Sequence, residues 1–239
     1  MMSSAPTSDQ VLRFAFDEER AAAYDERFAR MAAARDGLQL IAEIAFGVLP
    51  ESARFLCVGV GTGTELIHLA KVFPGWRFTA VEPARAMLNV CRKKVEAAGL
   101  TERCEFHEGY IETLPEMGPF HAATSLLVSH FILDQVQREE YFRQIARRLS
   151  PGGLLLNADL CGDADAEVQE YHLQQWQRLF LRCEAPKEEI EAMRNALQNH
   201  VALLPPQRVA EMLKAAGFST VMPAYHFHLI RGWVARVAE

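Results

Sequence analysis

Phe55-Leu-Cys-Val-Gly-Val-Gly-Thr-Gly-Thr64 sets three glycines on alternate positions directly after a short apolar run. The run reads as a strand buried in a parallel sheet, and the residues from Gly63 to Phe73 read as the helix that follows. Gly59, Gly61 and Gly63 permit positive φ angles and carry no side chain, so a ligand can lie directly against the backbone. The free N–H groups where that helix begins favour an anion or a carboxylate. About twenty residues on, the next strand closes on Glu82, an acid able to accept hydrogen bonds from both ribose hydroxyls of a nucleoside. Capping the helix that starts at Pro83 is the other role open to Glu82. Together the glycine loop and the spaced acid read as a nucleoside-cofactor site. The dinucleotide fingerprint GxGxxG is not met, because position 64 is Thr and position 66 is Leu.

Outward from this stretch, strand and helix alternate. Arg54–Val60, Arg77–Val81, Cys104–Glu108, Ala122–Val128 and Leu154–Leu160 read as strands. Gly63–Phe73, Pro83–Ala98 and Gln135–Leu149 read as helices. Pro83 takes the first helical position of its helix, and Gly99 falls just past the end. That order predicts an α/β Rossmann-like, doubly wound sheet. Residues 163–204 break the alternation with a helical insert. After the helix Gln207–Ala216, two strand-like runs, Phe218–Met222 and Phe227–Val237, are separated by Pro223. With no helix between them they must pair antiparallel, which completes seven strands with a C-terminal hairpin. Residues 1–50 are expected to hold a polar tail and N-terminal lid helices. Residues 51–239 are expected to form the main domain.

The chain has 239 residues, half of them hydrophobic, which suffices for one substantial core. A net charge of −6 without a basic run argues against general nucleic-acid binding. No segment reaches membrane-spanning length and the start lacks signal-peptide order, so neither a membrane nor export is expected. Five cysteines without a CxxC pair fit reduced thiols in the cytoplasm. His226 and His228 alternate along the last run, but two ligands do not make a metal site, and none is expected.

The chain resembles the class I S-adenosylmethionine-dependent methyltransferases of small-molecule type. The residues that carry the resemblance are FLCVGVGTG, VEP (81–83), FHEGYIETLP (106–115), FHAATSLLVSHFILD (120–134), LSPGGLLLNADL (149–160), AAGF (215–218) and GWVAR (232–236), in order and at the family's spacing. The resemblance implies S-adenosylmethionine as cofactor and S-adenosylhomocysteine as product. It sets the backbones of Gly59, Gly61 and Gly63 against the methionine part, and Glu82 on the ribose. Met87 would cover the adenine face unless it is core filler. Gly109, Tyr110 and Ile111 would border the adenine. Leu126 and Leu127 are core by composition, yet a backbone carbonyl there would receive the amino group. Tyr24, in AAAYDERF, resembles an N-terminal element that closes over the cofactor.

Cys57 stands where the family usually has an acid that helps hold the cofactor's amino group. It reads as a small buried residue, so another group must do that job. Ser129 and His130 follow the fourth strand, where the family meets substrate. His130 would be a catalytic base or a structural histidine. Tyr171 and Trp176 would line an aromatic pocket or pack the insert onto the body. The insert would serve equally as a lid or as a homodimer contact. The implied activity is methyl transfer to a small-molecule acceptor. Two rivals remain. FAFDEERAAAYDERF (14–28) faintly resembles the start of carboxy-S-adenosylmethionine synthases, which modify the cofactor. A nucleoside-binding protein without catalysis is the other.

Overall fold

The computed structural model describes residues 31–239 and, ahead of them, Ala21, Tyr24, Asp25 and Ala29. The expected polar tail and most of the 14–28 stretch lie outside the described residues. Helix α1 covers Ala32–Phe46, and strand β1 covers Arg54–Val58. There follow α2 (Thr64–Val72), β2 (Arg77–Glu82), α3 (Arg85–Ala97), β3 (Cys104–Glu108), β4 (Phe120–Leu126), α4 (Gln135–Arg148) and β5 (Leu149–Leu160). The insert comprises α5 (Ala166–Arg182) and α6 (Lys187–Asn199). Helix α7 (Pro206–Ala215) leads into β6 (Phe218–Phe227) and β7 (Ile230–Val237).

The seven strands pair in the order β3-β2-β1-β4-β5-β7-β6. All pairs are parallel except β5–β7 and β6–β7. Alternation along β1 divides the core. Leu56 and Val58 join the cluster that holds residues of α4 and α7, whereas Phe55 and Cys57 join the cluster under α1, α2 and α3. Both faces are therefore covered, which is why the parallel strands read as nearly continuous apolar runs. The chain winds outward in opposite directions from β1 and β4. The loop after β1 thus opens at the switch point of the sheet, on its carboxyl edge.

Three local expectations are corrected. Helix α3 starts at Arg85 with Ala84 as its N-cap, not at Pro83. The Ala84 N–H is taken by the Glu82 carboxylate at 2.9 Å, which holds Pro83 outside the first turn. Pro223 does not end a strand, because β6 runs through it. β6 is an edge strand with a register shift between Pro223 and Tyr225, and an edge tolerates a residue that cannot donate. His226 lies in β6, while His228 lies past its end at φ +49, so the two do not alternate along one strand. Among the described residues no helix is long and apolar enough to cross a membrane.

Candidate functional site

The backbone leaves β1 through left-handed turns, with φ +67 at Gly59, +57 at Gly61 and +79 at Gly63. A Cβ on Gly59 would sit 2.4 Å from the Val128 side chain, and one on Gly63 would sit 2.4 Å from Cys91 Sγ. Packing by itself therefore requires glycine at both positions. A Cβ on Gly61 would meet only the flexible tip of Met87, at an ordinary contact distance of 3.5 Å, so the middle of the loop is not closed off by backbone. Glu82 stands directly beneath. Its Oε2 accepts the Gly61 N–H and its Oε1 the Ala84 N–H, both at 2.9 Å. The side chain is only 8% exposed, and burial raises its pKa against the pull of the Ala84 and Gly61 bonds. Each oxygen keeps a lone pair for a further donor.

A second layer covers the loop. Met87, at the start of α3, packs with Ala84, Ala21 and Tyr24, which brings two candidate cofactor residues from distant parts of the chain together. Asp25, beside Tyr24, fastens this segment to the loop. Its Oδ1 accepts the Thr62 hydroxyl at 2.6 Å, and its Oδ2 accepts Lys94 Nζ at 2.6 Å. Lys94 also donates to Thr64 Oγ1 at 3.1 Å. Burial raises the Asp25 carboxyl, but the bonds from Lys94 and Thr62 outweigh it and hold the pKa below the ordinary value. On the other side, the Gly109 N–H bonds the Glu82 carbonyl at 3.1 Å, Tyr110 is exposed and Ile111 is buried. Leu127, just past β4, takes φ +60, and its N–H bonds the Ala158 carbonyl at 2.7 Å. A bulky residue held there costs about 1–3 kcal/mol, a strain that clusters at ligand sites. Leu126 and Leu127 pack against the cluster that joins α1 to the insert.

The candidate acceptor residues lie apart from this cradle in kind. Ser129 and His130 form a 3-10 turn after β4 and are both buried. Ser129 Oγ donates to Asp159 Oδ2 at 2.6 Å, the His130 N–H bonds Oδ1 at 3.0 Å, and His130 Nδ1 lies 3.2 Å from Oδ1. Arg138, wholly buried in α4, completes the group with Nη2 3.2 Å from Asp159 Oδ2. Burial would raise the Asp159 carboxyl, yet Arg138 and His130 hold it far below its ordinary value. Burial lowers the His130 pKa, so the ring is neutral. The same group ties down the far end of the insert. The Ala202 N–H bonds the His130 carbonyl at 2.8 Å, and Arg138 Nη1 bonds the Ala202 carbonyl at 3.1 Å. Trp176 is buried against Ala34, Leu38, Leu229 and Ile230, where it joins α5 to the body. Tyr171 is 59% exposed on the outer side of α5.

Cys57 is fully buried, and burial pushes its thiol well above its usual pKa, so it carries no charge. Sequence reasoning missed Asp25, Lys94, Arg138 and Asp159. Asp159 alone offered a signal, an acid inside the apolar run LLLNADL at the carboxyl edge of the sheet. The Gly61 backbone, covered only by the flexible tip of Met87 and set above a buried, doubly anchored carboxylate, fits the ribose and methionine parts of a nucleoside cofactor.

Residues 55–153 match the model of a methyltransferase domain. The chain is 23% identical over 227 residues to the carboxy-S-adenosyl-L-methionine synthase of Campylobacter lari, covering 93% of this chain and 94% of that one. It is 26% identical over 231 residues to the synthase of the same name from Dichelobacter nodosus, covering 94% and 93%. Among solved structures, an O-methyltransferase family protein from Burkholderia thailandensis superposes with a TM-score of 0.62 at 19% identity. That match covers 94% of this chain and 64% of the other, so the chain spans under two thirds of that protein's length.

Proposed function

We propose that this chain is a class I S-adenosylmethionine-dependent methyltransferase that transfers a methyl group to a small-molecule acceptor by in-line displacement, a reading supported by the methyltransferase-domain match over residues 55–153. The observation that carries the reading is the cradle of Gly61 over Glu82. In it, one stretch of backbone is covered only by the flexible tip of Met87 while the acid beneath is buried and fixed. The chemistry supplied by the bound cofactor is a sulfonium methyl already activated for displacement, so alignment accounts for much of the rate.

The residues divide the remaining work. Glu82 accepts from the ribose hydroxyls with its free lone pairs, while its bonds to Gly61 and Ala84 keep it from turning away. Met87 covers the adenine, with Gly109, Tyr110 and Ile111 at its border. Tyr24 and Ala21 pack on Met87 and exclude water from that side. The apolar cluster of Leu126, Leu127, Phe180, Met193 and Phe227 supports an acceptor space between the sheet edge and the insert. His130, buried on Asp159, holds the turn after β4 in this reading and is given no proton to move. Tyr171 is too exposed in this conformation to be given a role in the acceptor space.

A second reading, modification of the cofactor in the manner of carboxy-S-adenosylmethionine synthases, is favoured by the end-to-end likeness to those two relatives. Mass spectrometry of the nucleosides that leave with the purified protein separates the two. Unmodified S-adenosylmethionine or S-adenosylhomocysteine supports methyl transfer. A cofactor heavier by one carboxylate supports the second reading.

Gly61→Ala offers a sharper check of the cradle. The variant is expected to fold, because its Cβ clashes with nothing, and to pay about 1–2 kcal/mol for the left-handed backbone. That corresponds to a melting point about 2–8 °C lower. S-adenosylhomocysteine should nevertheless raise its melting point far less than it does for wild type. Equal ligand shifts in the two proteins would count against the cradle.

A further inference from the structure

The hairpin of β6 and β7 turns at the carboxyl edge of the sheet, where Ile230 pairs with Leu160 at the end of β5. The Cys161 N–H, just past β5, bonds the Leu229 carbonyl at the hairpin tip at 2.8 Å. Phe227 and Ile230 stand opposite one another and join the apolar cluster shared with the insert. His226 and Arg231 also stand directly opposite one another, and alternation turns them to the other face.

Arg231 is held on one side only. Its Nη1 donates to the His228 carbonyl and, at 3.4 Å, to the Ile230 carbonyl. Both acceptors are backbone of the hairpin itself, so they fix the guanidinium without neutralising it. Among the described residues no carboxylate pairs with Arg231, and its Nε and Nη2 donate to no protein group. Asp163, on the loop after β5, is the acid whose charge reaches it. The Asp163 Oδ1 already accepts the Asp165 N–H at 3.0 Å. Burial lowers the Arg231 pKa against the pull of Cys161 and Asp163, so the cation is under-compensated.

Three histidines, His172, His226 and His228, gather near this cation. His226 faces it across the strand pair and is exposed. The ring of His228, at the tip, lies edge-on to Phe227 with centroids 5.1 Å apart. His172 lies one helical turn before Trp176 on α5, and Trp176 packs with Leu229 and Ile230, so α5 sets His172 beside the hairpin. The His172 Nδ1 is buried without a hydrogen-bond partner. Burial and the Arg231 charge lower the His226 pKa. His172 and His228 add to this, while a bond to the His228 backbone opposes it. The Nε–Nη2 edge of a fixed guanidinium matches both oxygens of a carboxylate or phosphate.

We propose that this edge of Arg231, with His226 opposite, is a binding site for a carboxylate or phosphate group. The site uses no part of the glycine cradle, so it stands apart from the cofactor reading. Two sources supply such a group. One is a small free anion. The other is an acceptor whose apolar body lies in the neighbouring cluster and whose anionic end reaches round the hairpin.

The test follows the histidine ring C–H signals by proton NMR, with His226 and His172 assigned from His226→Gln and His172→Gln. Inorganic phosphate, acetate and 3-phenylpropionate are titrated separately at pH 7, with sodium chloride holding the ionic strength constant. The His226 signal should shift saturably with each anion, while His68 and His121, placed elsewhere, should not follow. Arg231→Gln should weaken phosphate binding by about ten- to a hundredfold. Arg231→Lys, which keeps the charge but not the fork, should fall between the two and guards against a merely misfolded variant. Binding of 3-phenylpropionate about tenfold tighter than acetate assigns the group to an acceptor with an apolar body. Equal binding of the two assigns it to a free anion. Shifts that do not saturate, that are as large at His68 and His121, or that persist unchanged in Arg231→Gln mean an adventitious ion only and overturn the site.

Discussion

Glu82→Ala is expected to weaken S-adenosylhomocysteine binding by about ten- to more than a hundredfold, with calorimetry as the measurement. The charge-assisted bonds to the ribose hydroxyls contribute about 1.5–3 kcal/mol, which sets that range. The structure adds a second loss. Without the carboxylate, the Gly61 and Ala84 N–H groups lose their acceptors, and each buried donor left unpaired costs about 1–3 kcal/mol. The glycine loop would then drift from β2 as well as lose its ribose contact. Glu82→Gln should not rescue it fully, because its amide nitrogen would face one of the two donors. Wild-type affinity in Glu82→Ala would mean that the acid serves only the fold.

Arg138→Met is expected to destabilise the protein by about 3–5 kcal/mol, a melting point lower by about 6–20 °C. The reason is not the lost ion pair itself but what remains. Asp159 would keep a charge at a site with no exposure and no cation. Pairing the change with Asp159→Asn should recover part of the loss, since the stranded charge goes too. The same group governs acid behaviour. The folded pKa of Asp159 lies below its unfolded value near 3.8, so its contribution is fully present above about pH 4. That contribution is lost as pH falls from there through the depressed folded value. Denaturant titrations at pH 7 and pH 3 should show wild type losing stability over this range. Arg138→Met should lose less, because its Asp159 has less charge stabilisation to give up. Equal melting points of variant and wild type at pH 7 would contradict the picture of Asp159 as a dependent buried charge.

The parts of this molecule that could be read from sequence are those with local or periodic causes. The strands around FLCVGVGTGT were legible because a sheet covered on both faces makes each strand an uninterrupted apolar run. The hairpin followed from the absence of a helix between two strand-like runs. Pro223 misled because its meaning depends on whether a strand lies at an edge, which only the assembled sheet decides. Pro83 misled because a tertiary bond from Glu82 to Ala84 shifted the helix start.

Within the candidate site, the glycine loop and Glu82 carried their own spacing. Arg138 and Asp159 did not, since an arginine in an amphipathic helix looks solvated until its partner on β5 is known. Tyr24 drew attention through the family resemblance, while its neighbour Asp25 bonds Thr62 of the loop and Lys94.

The most direct measurement is calorimetric titration of the wild-type protein with S-adenosylhomocysteine, repeated with S-adenosylmethionine. Saturable binding at one site per chain is the predicted result. It would make the Gly61 backbone and the buried Glu82 the cradle of a methyl donor. No binding of either nucleoside would contradict the account. The three glycines would then serve the packing of Val128, Cys91 and a turn, and the proposed activity would fall with them.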